Sequence, residues 1–410
     1  MHHEPRGHYR WVVLAVGTLA VFGALGLARF GYTVVLPAMQ TGLRMGNTEA
    51  GFLASLNLAG YLALAAGGGA LASRFGPRIV IAAGLCLAGG GMLLTGLASG
   101  FTEAALWRCI TGMGSGAANV SVMGMWATWF GVKRRGFASG IAVTGSSLAL
   151  IIAGPLAPQI ISRYGADGWR VCWFVFGLTT LALALLCLGV IRNRRPEPEI
   201  DLATAYAGTP QKQEKLSWSL VYRSGPVWRL GLVYVAFGFS YMIYMTFFVK
   251  RLVAEGGYTR AEAGSLFMTM GWVSLLCGLV WGTVSDVIGR KWTLVIVYLI
   301  HAAAFGIFAL WPTAPGFTLS AILFGLSAWS IPAIMAAACG DVLGPRLAPA
   351  ALGFITVFFG MGQAAGPGIA GWIADAAGSF APAYLLASGV ALVGAVGAAL
   401  LKATHHPGHP

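Results

Sequence analysis

The chain has 410 residues, of which 57% are hydrophobic and only 10% charged, and its mean hydropathy is +0.76. A water-soluble domain carries about 25% charged residues, so a soluble globular enzyme or binding module is excluded. A net charge of +13 would suit nucleic acid, but the basic residues are sorted by membrane side, and no nucleic-acid partner is expected.

Apolar runs of roughly 20 residues recur along the chain, and each is long enough to cross a hydrocarbon core of about 30 Å. They predict an all-α membrane protein with twelve transmembrane helices, at 11–38, 48–72, 79–98, 102–129, 137–162, 169–191, 227–252, 260–285, 292–311, 316–340, 348–374 and 380–401. The first follows a short polar stretch ending at Arg10 and is too long for a signal-peptide core, so it reads as retained. An even number of spans puts both termini on one side. Of the basic residues, Arg44, Arg163, Arg170, Lys250, Arg251 and Arg260 fall on the opposite side and Arg29 and Arg108 lie inside spans, while the other 18 of 26 share the side of the termini. That asymmetry predicts cytoplasmic termini in a bacterial-type inner membrane. The six cysteines stand singly in apolar spans and read as small core residues.

Residues 192–226 are charged and contain proline, as a solvated linker does. They divide the chain into an N-terminal six-helix bundle (1–191) and a C-terminal one (227–410). Within the linker, Leu216 to Tyr222 has the apolar content of a membrane-surface segment. The two parts show internal similarity. Gly69-Ala-Leu-Ala-Ser73-Arg-Phe-Gly76-Pro77-Arg78 and Gly282-Thr-Val-Ser-Asp286-Val-Ile-Gly289-Arg290-Lys291 share one pattern at an offset of 213 residues. Such a repeat implies two pseudosymmetric bundles with a site between them near the midplane.

With these motifs the sequence resembles the major facilitator superfamily of secondary transporters over essentially its whole length. The 69–78 loop is similar to that family's signature between spans 2 and 3, with Ser73 in place of the usual acid, and its echo keeps Asp286 and Arg290. Arg108 followed by Gly112, Gly114 and Gly116 resembles the span-4 motif. Gly353, Gly362, Gly366 and Pro367 resemble a glycine-proline motif that the family usually places in span 5, where only Gly145, Gly154 and Pro155 remain. Asn119, Gly136-Phe-Ala138-Ser-Gly140 and Gly168-Trp169-Arg170 look most like the monocarboxylate and oxalate/formate porters. Ala28-Arg29-Phe30-Gly31-Tyr32 with Leu36-Pro37 resembles a less characterised bacterial branch. The resemblance implies alternating access and a cavity lined by helix 1.

An ionised group at the bilayer centre costs at least about 2.5–3.5 kcal/mol and must face protein, water or ligand. Arg29 therefore reads as the binding group for an organic anion, since a guanidinium matches a carboxylate bidentately; the alternative is a cation that only satisfies helix carbonyls. Tyr32 shares its face at i,i+3. Asn57, Tyr61, Asn119, Tyr241, Tyr244 and Gln363 are the further candidates, as ligand donors or as interhelical hydrogen bonds. Lys250 is either a second cationic contact or an interfacial side chain, and Trp272 and Trp329 either wall the pocket or pack. Arg108, Asp286, Arg290 and His301 are candidates for gating or coupling. None of the 13 acidic residues falls near the middle of a span. A cationic substrate thus lacks a counter-charge, and proton coupling would fall to His301 or to the substrate's own acid.

No phosphate loop, paired membrane carboxylates or metal cluster is visible, and His405, His406 and His409 lie in a terminal tail. No enzyme activity, cofactor or metal is expected. The expected function is transport of a small organic anion, a monocarboxylate or related acid, with or without a proton or counter-anion, by a monomer in the lipid bilayer. The alternative is an exporter of neutral or amphipathic drugs.

Overall fold

The computed structural model describes residues 9–130, 134–193 and 219–401. Among them there are helices and no strand, as expected where no water is at hand and each segment must satisfy its own backbone. The first rod joins α1 (Tyr9–Val21), a π-helical stretch (Phe22–Phe30) and α2 (Gly31–Gly42). Next come α3 (Asn47–Phe75), α4 (Pro77–Leu97), α5 (Phe101–Trp129), α6 (Arg135–Tyr164) and α7 (Gly168–Val190). From residue 219, still within the expected linker, follow α8 (Ser219–Arg223), α9 (Gly225–Ala254), α10 (Arg260–Ser274), α11 (Cys277–Ile288), α12 (Arg290–Leu310), α13 (Ala314–Ser327), α14 (Ser330–Ala377) and α15 (Ala381–Ala399). Most of the linker, with Leu216 and Trp218, and the histidine tail lie outside the described residues.

Among the described residues, eight helices are long and apolar enough to cross a membrane, or nine if the pair Asn47–Ala65 and Gly67–Phe75, bent by 45°, is one span. Two of the expected spans do not pass that test. Helix α5 has 29 residues but is diluted by Arg108, Asn119 and several Ser, Thr and Gly. The span expected at 260–285 is interrupted between Ser274 and Cys277.

Glycines set how closely the helices approach. A Cβ at Gly112 would come within 1.8 Å of the Asn57 carbonyl oxygen and one at Gly116 within 2.3 Å of that of Tyr61, so one face of α5 lies directly on α3. Gly114, on another face, meets Gly84 and Ala88 of α4. The span-4 glycines are thus packing surfaces, as expected where close contact takes the place of a hydrophobic driving force. Gly362 and Gly366 likewise seat α14 against the Val235 and Phe239 carbonyls of α9.

The repeat is visible in the backbone. Gly76 and Gly289, 213 residues apart, have φ of 85° and 86°, a region that favours glycine. Contacts repeat at the same offset: α3 packs on α14 and α10 packs on α6. These two seams are closed at the end remote from Tyr9. There Asp375 accepts hydrogen bonds from Asn47 N (3.0 Å), Thr48 N (2.7 Å) and Thr48 Oγ1 (2.6 Å). Gly371 lies against the Asn47 carbonyl, Gly51 against that of Pro367, and Gly154 against Gly264. Toward the terminal end the cross-contacts run to Leu62 with Gly360 on one seam and to Ser147 with Ser274 on the other. Beyond them, Gly67, Gly282 and Gly353 have open space where a Cβ would sit.

Candidate functional site

Arg29 is carried by the π-helical stretch, whose register is marked by Gly31 N donating to the Gly26 carbonyl, five residues back. Such stretches are rare and frequent at functional sites, and nothing in the hydrophobic pattern of the first span announced it. The Arg29 side chain is 8% exposed. Its guanidinium carbon lies 4.5 Å from the centre of the Tyr61 ring, a cation–π arrangement. Nε and Nη2, the adjacent donors on one edge of the guanidinium, are buried without a partner.

Four of the other expected residues gather around it. The Tyr61 hydroxyl accepts from Asn119 Nδ2 at 2.8 Å, while Asn119 Oδ1 is buried and unpartnered. From the other side of the linker, the Tyr241 hydroxyl is an electrostatic and hydrogen-bonding neighbour of the Arg29 guanidinium and accepts from Gln363 Nε2. The Tyr241 ring is held by stacking on Phe237, at 4.7 Å, and on Phe359, at 6.0 Å. Residues from α3, α5, α9 and α14 therefore converge on one arginine.

The remaining candidates have partners elsewhere. Asn57 Nδ2 donates to the Arg108 carbonyl at 2.9 Å and ties α3 to α5. The Tyr32 hydroxyl donates to the Ala50 carbonyl at 2.7 Å. Tyr244 bonds Ser320 Oγ at 2.8 Å inside a nest of Phe305, Phe308, Phe324 and Tyr384. It lies one helical turn from Tyr241 but faces the interior of the C-terminal helices. Arg108 donates from Nη1 to the Ala28 carbonyl at 2.7 Å, and its guanidinium carbon lies 4.9 Å from the ring centres of both Tyr32 and Trp173. It thereby braces the residue next to Arg29.

His301 is fully buried, stacked among Phe237, Phe305 and Phe324 at 5.4–5.7 Å, and its ring nitrogens have no hydrogen-bonding side chain in reach. Asp286 and Arg290 form a latch at the terminal end: Arg290 Nη1 reaches Asp286 Oδ1 and Ser285 Oγ, each at 2.5 Å, and its Nε reaches Asp341 Oδ2 at 3.1 Å. The equivalent N-terminal positions hold Ser73 and Pro77, and Ser73 Oγ donates only to the Gly69 carbonyl. There Asn193 takes over, its Oδ1 accepting from Arg78 N at 3.1 Å.

Trp272 is 58% exposed on the outer surface, whereas Trp329 lies inside, 5.3 Å from the Phe30 ring and donating from Nε1 to Ser147 Oγ at 3.0 Å. Lys250 is partly exposed, but Arg251, expected at the interface with it, is buried and donates to the Ala309 carbonyl at 2.9 Å. Its guanidinium carbon lies 5.3 Å from the Phe308 ring centre and 5.0 Å from that of Tyr384, and its Nε is 3.5 Å from Glu255 Oε2.

A small cavity beside Arg29 is lined by the expected Tyr32, Asn57 and Arg108 and also by Thr33, Met245 and Thr246, which sequence reasoning missed. Thr33 Oγ1 donates to the Met245 carbonyl at 2.8 Å, joining α2 to α9. The repeat offset carries a signal for it, because Thr33 and Thr246 are 213 residues apart.

The chain is similar to proteins of known name across its length. It is 24% identical to a hexuronate transporter of Bacillus subtilis over 89% of this chain and 88% of that one. It is 25% identical to a probable sulfoacetate transporter of Cupriavidus necator over 69% and 65%. Its fold matches the inward-facing, occupied crystal structure of a bacterial homologue of the human lysosomal transporter Spinster, with a TM-score of 0.72 at 16% identity, covering 98% of this chain and 96% of that one. The family described as "Uncharacterised MFS-type transporter YbfB" matches residues 21–399. The chain is thus a transporter of the major facilitator superfamily, not an enzyme, and within it belongs to that YbfB-type family.

Proposed function

We propose that the protein is a secondary transporter of small organic anions that recognises one carboxylate or sulfonate of its substrate through Arg29. The observation that carries this reading is the buried, unpartnered Nε and Nη2 edge of Arg29. Two parallel N–H donors at that spacing match the two oxygens of a carboxylate. A buried cation with two of its donors unpaired and no counter-charge is costly, so in this reading the site is complete only when an anion is bound.

Around that charge, Tyr61, Asn119, Tyr241 and Gln363 would hold the body of the acid, with Asn119 Oδ1 free to accept from a substrate hydroxyl. Monocarboxylates and hydroxylated acids suit this arrangement. The names of the hexuronate and sulfoacetate transporters, each an organic-acid carrier, support the anion class.

In this reading residues 1–191 and 227–410 form two six-helix bundles of a twelve-span protein in the inner membrane, with cytoplasmic termini. The bundles rock about the site, and the structure corresponds to the state sealed at the Asp375 end. Substrate drives exchange or coupling only by binding the two gate states differently.

The test is binding of a panel of carboxylates, sulfonates, sugars and cationic dyes to purified protein, read as a rise in melting temperature and repeated with Arg29→Ala. Acids that stabilise native protein but not the variant support the reading. Dyes or sugars that stabilise both would replace it with drug export or sugar transport.

A further inference from the structure

The small cavity beside Arg29 has a composition that packing alone does not account for. Two guanidinium groups, of Arg29 and Arg108, line it without any carboxylate among the lining residues. Both side chains are more than nine-tenths buried, at 8% and 1% exposure, and Thr246 is 2% exposed. Arg29 Nε and Nη2, Arg108 Nε and Thr246 Oγ1 are all buried without a hydrogen-bond partner. Like charges in a shared desolvated space repel, and three orphaned N–H donors beside an orphaned hydroxyl are the reverse of how an interior is normally satisfied.

The repeat sharpens the point. Thr33 and its equivalent Thr246 sit at the same place in helices related by 213 residues. Thr33 Oγ1 donates to the Met245 carbonyl. The symmetric bond, from Thr246 Oγ1 to the Tyr32 carbonyl, is not made, and the Thr246 hydroxyl is left facing the cavity that Arg29 and Arg108 line. The cavity measures about 10 Å³, the space of one water-sized group.

We infer that this cavity receives one oxygen of the substrate's anionic head, a carboxylate or sulfonate, and that Thr246 supplies the hydroxyl donor to that oxygen from the C-terminal side. The inference rests on the Arg29 reading above and adds a residue and a location to it. The head group bridges Arg29 and Thr246, which belong to opposite sides of the linker. Its body extends toward Tyr61, Asn119, Tyr241 and Gln363. Because Met245, next to Thr246, already accepts from Thr33, an anion in this seat holds α2 and α9 together where they already touch. Occupancy thereby favours the sealed state.

The test compares native protein with Thr246→Val, Thr246→Ala, Thr246→Ser and Arg29→Ala, using glucuronate, sulfoacetate and lactate as probes and sodium chloride and sodium nitrate as controls. Affinity is read from the ligand-dependent melting shift, with the ligand-free melting temperature of each variant as its folding control. Loss of the hydroxyl in Val or Ala weakens binding of whichever acid the native protein takes by about tenfold, and Ser keeps it within about twofold. Native-like affinity in Val and Ala, with binding abolished in Arg29→Ala, overturns the role of Thr246 and leaves the Arg29 reading standing. Unchanged affinity in all four variants removes both. Stabilisation by chloride or nitrate that is lost in Thr246→Val and competes with no acid makes the occupant a free inorganic anion and overturns the head-group assignment.

Discussion

The guanidinium of Arg29 sits 4.5 Å from the centre of the Tyr61 ring, and the hydroxyl of that same tyrosine accepts a hydrogen bond from Asn119. The ring face thus stabilises the cation while the amide fixes the ring. The edge of the guanidinium that carries Nε and Nη2 stays without a partner.

Arg29→Met therefore separates function from stability. Removing a buried, incompletely paired cation is expected to leave the ligand-free melting temperature at or above that of native protein. The same change should weaken acid binding by about two orders of magnitude, corresponding to roughly 3 kcal/mol for a charge-assisted contact. Thermal unfolding with and without ligand reads both effects.

Asp375 closes the remote end by accepting three hydrogen bonds from Asn47 and Thr48 across the α3–α14 seam. Asp375→Ala should favour opening of that end by about 1–2 kcal/mol, a solvent-facing latch being weaker than a buried one. Spin labels at Phe52 and Trp372, both on the outer surface of these helices, would report a longer or broader distance distribution. An unchanged distribution would remove Asp375 from the gate.

Among the described residues the Arg290 latch has no counterpart at the repeat-related positions, which hold Pro77 and Ser73. Arg290→Ala should loosen α11, α12 and the start of α14 together, and hydrogen exchange should rise at their terminal ends. Pro77→Ala should leave exchange in α12 untouched.

Glycine positions give a paired stability test. Gly112→Ala places a Cβ 1.8 Å from the Asn57 carbonyl oxygen and should destabilise by about 1–3 kcal/mol or more as α3 and α5 are forced apart. Gly282→Ala, with open space at that position, should be neutral or stabilising by up to about 1 kcal/mol. Melting temperatures in one detergent compare them directly.

His301 is enclosed by three phenylalanines. His301→Phe should preserve the pH dependence of acid uptake, measured in proteoliposomes between pH 5.5 and 8 on the scale where a histidine titrates. A flattened profile would make the histidine a coupling group after all.

Much of this was legible in the sequence because the bilayer imposes long apolar helices, and because charge within them is expensive enough to stand out. Arg29 was found on that ground. The neighbours were harder, since residues three or four apart on a helix face nearly the same way and only helix rotation decides their partners. Tyr241 turns to Gln363 and Arg29, whereas Tyr244, one turn later, bonds Ser320. Tyr32 and Asn57, which share helix faces with the site, spend their donors on carbonyls of neighbouring helices. Thr246 was invisible because a lone threonine in an apolar span carries no hydropathy signal, and the π-helical register of residues 22–30 leaves the apolar pattern unchanged. The repeat offset alone would have pointed to Thr246, through Thr33.

The central claim is that Arg29 binds the anionic group of a transported organic acid. Its most direct measurement is uptake of a radiolabelled acid, chosen from the binding panel, into proteoliposomes containing native protein or Arg29→Ala. The account predicts saturable uptake by native protein, inhibited by other acids, and none above background in the variant. Undiminished acid uptake by Arg29→Ala, or transport of a cationic dye in place of acids by native protein, would contradict it.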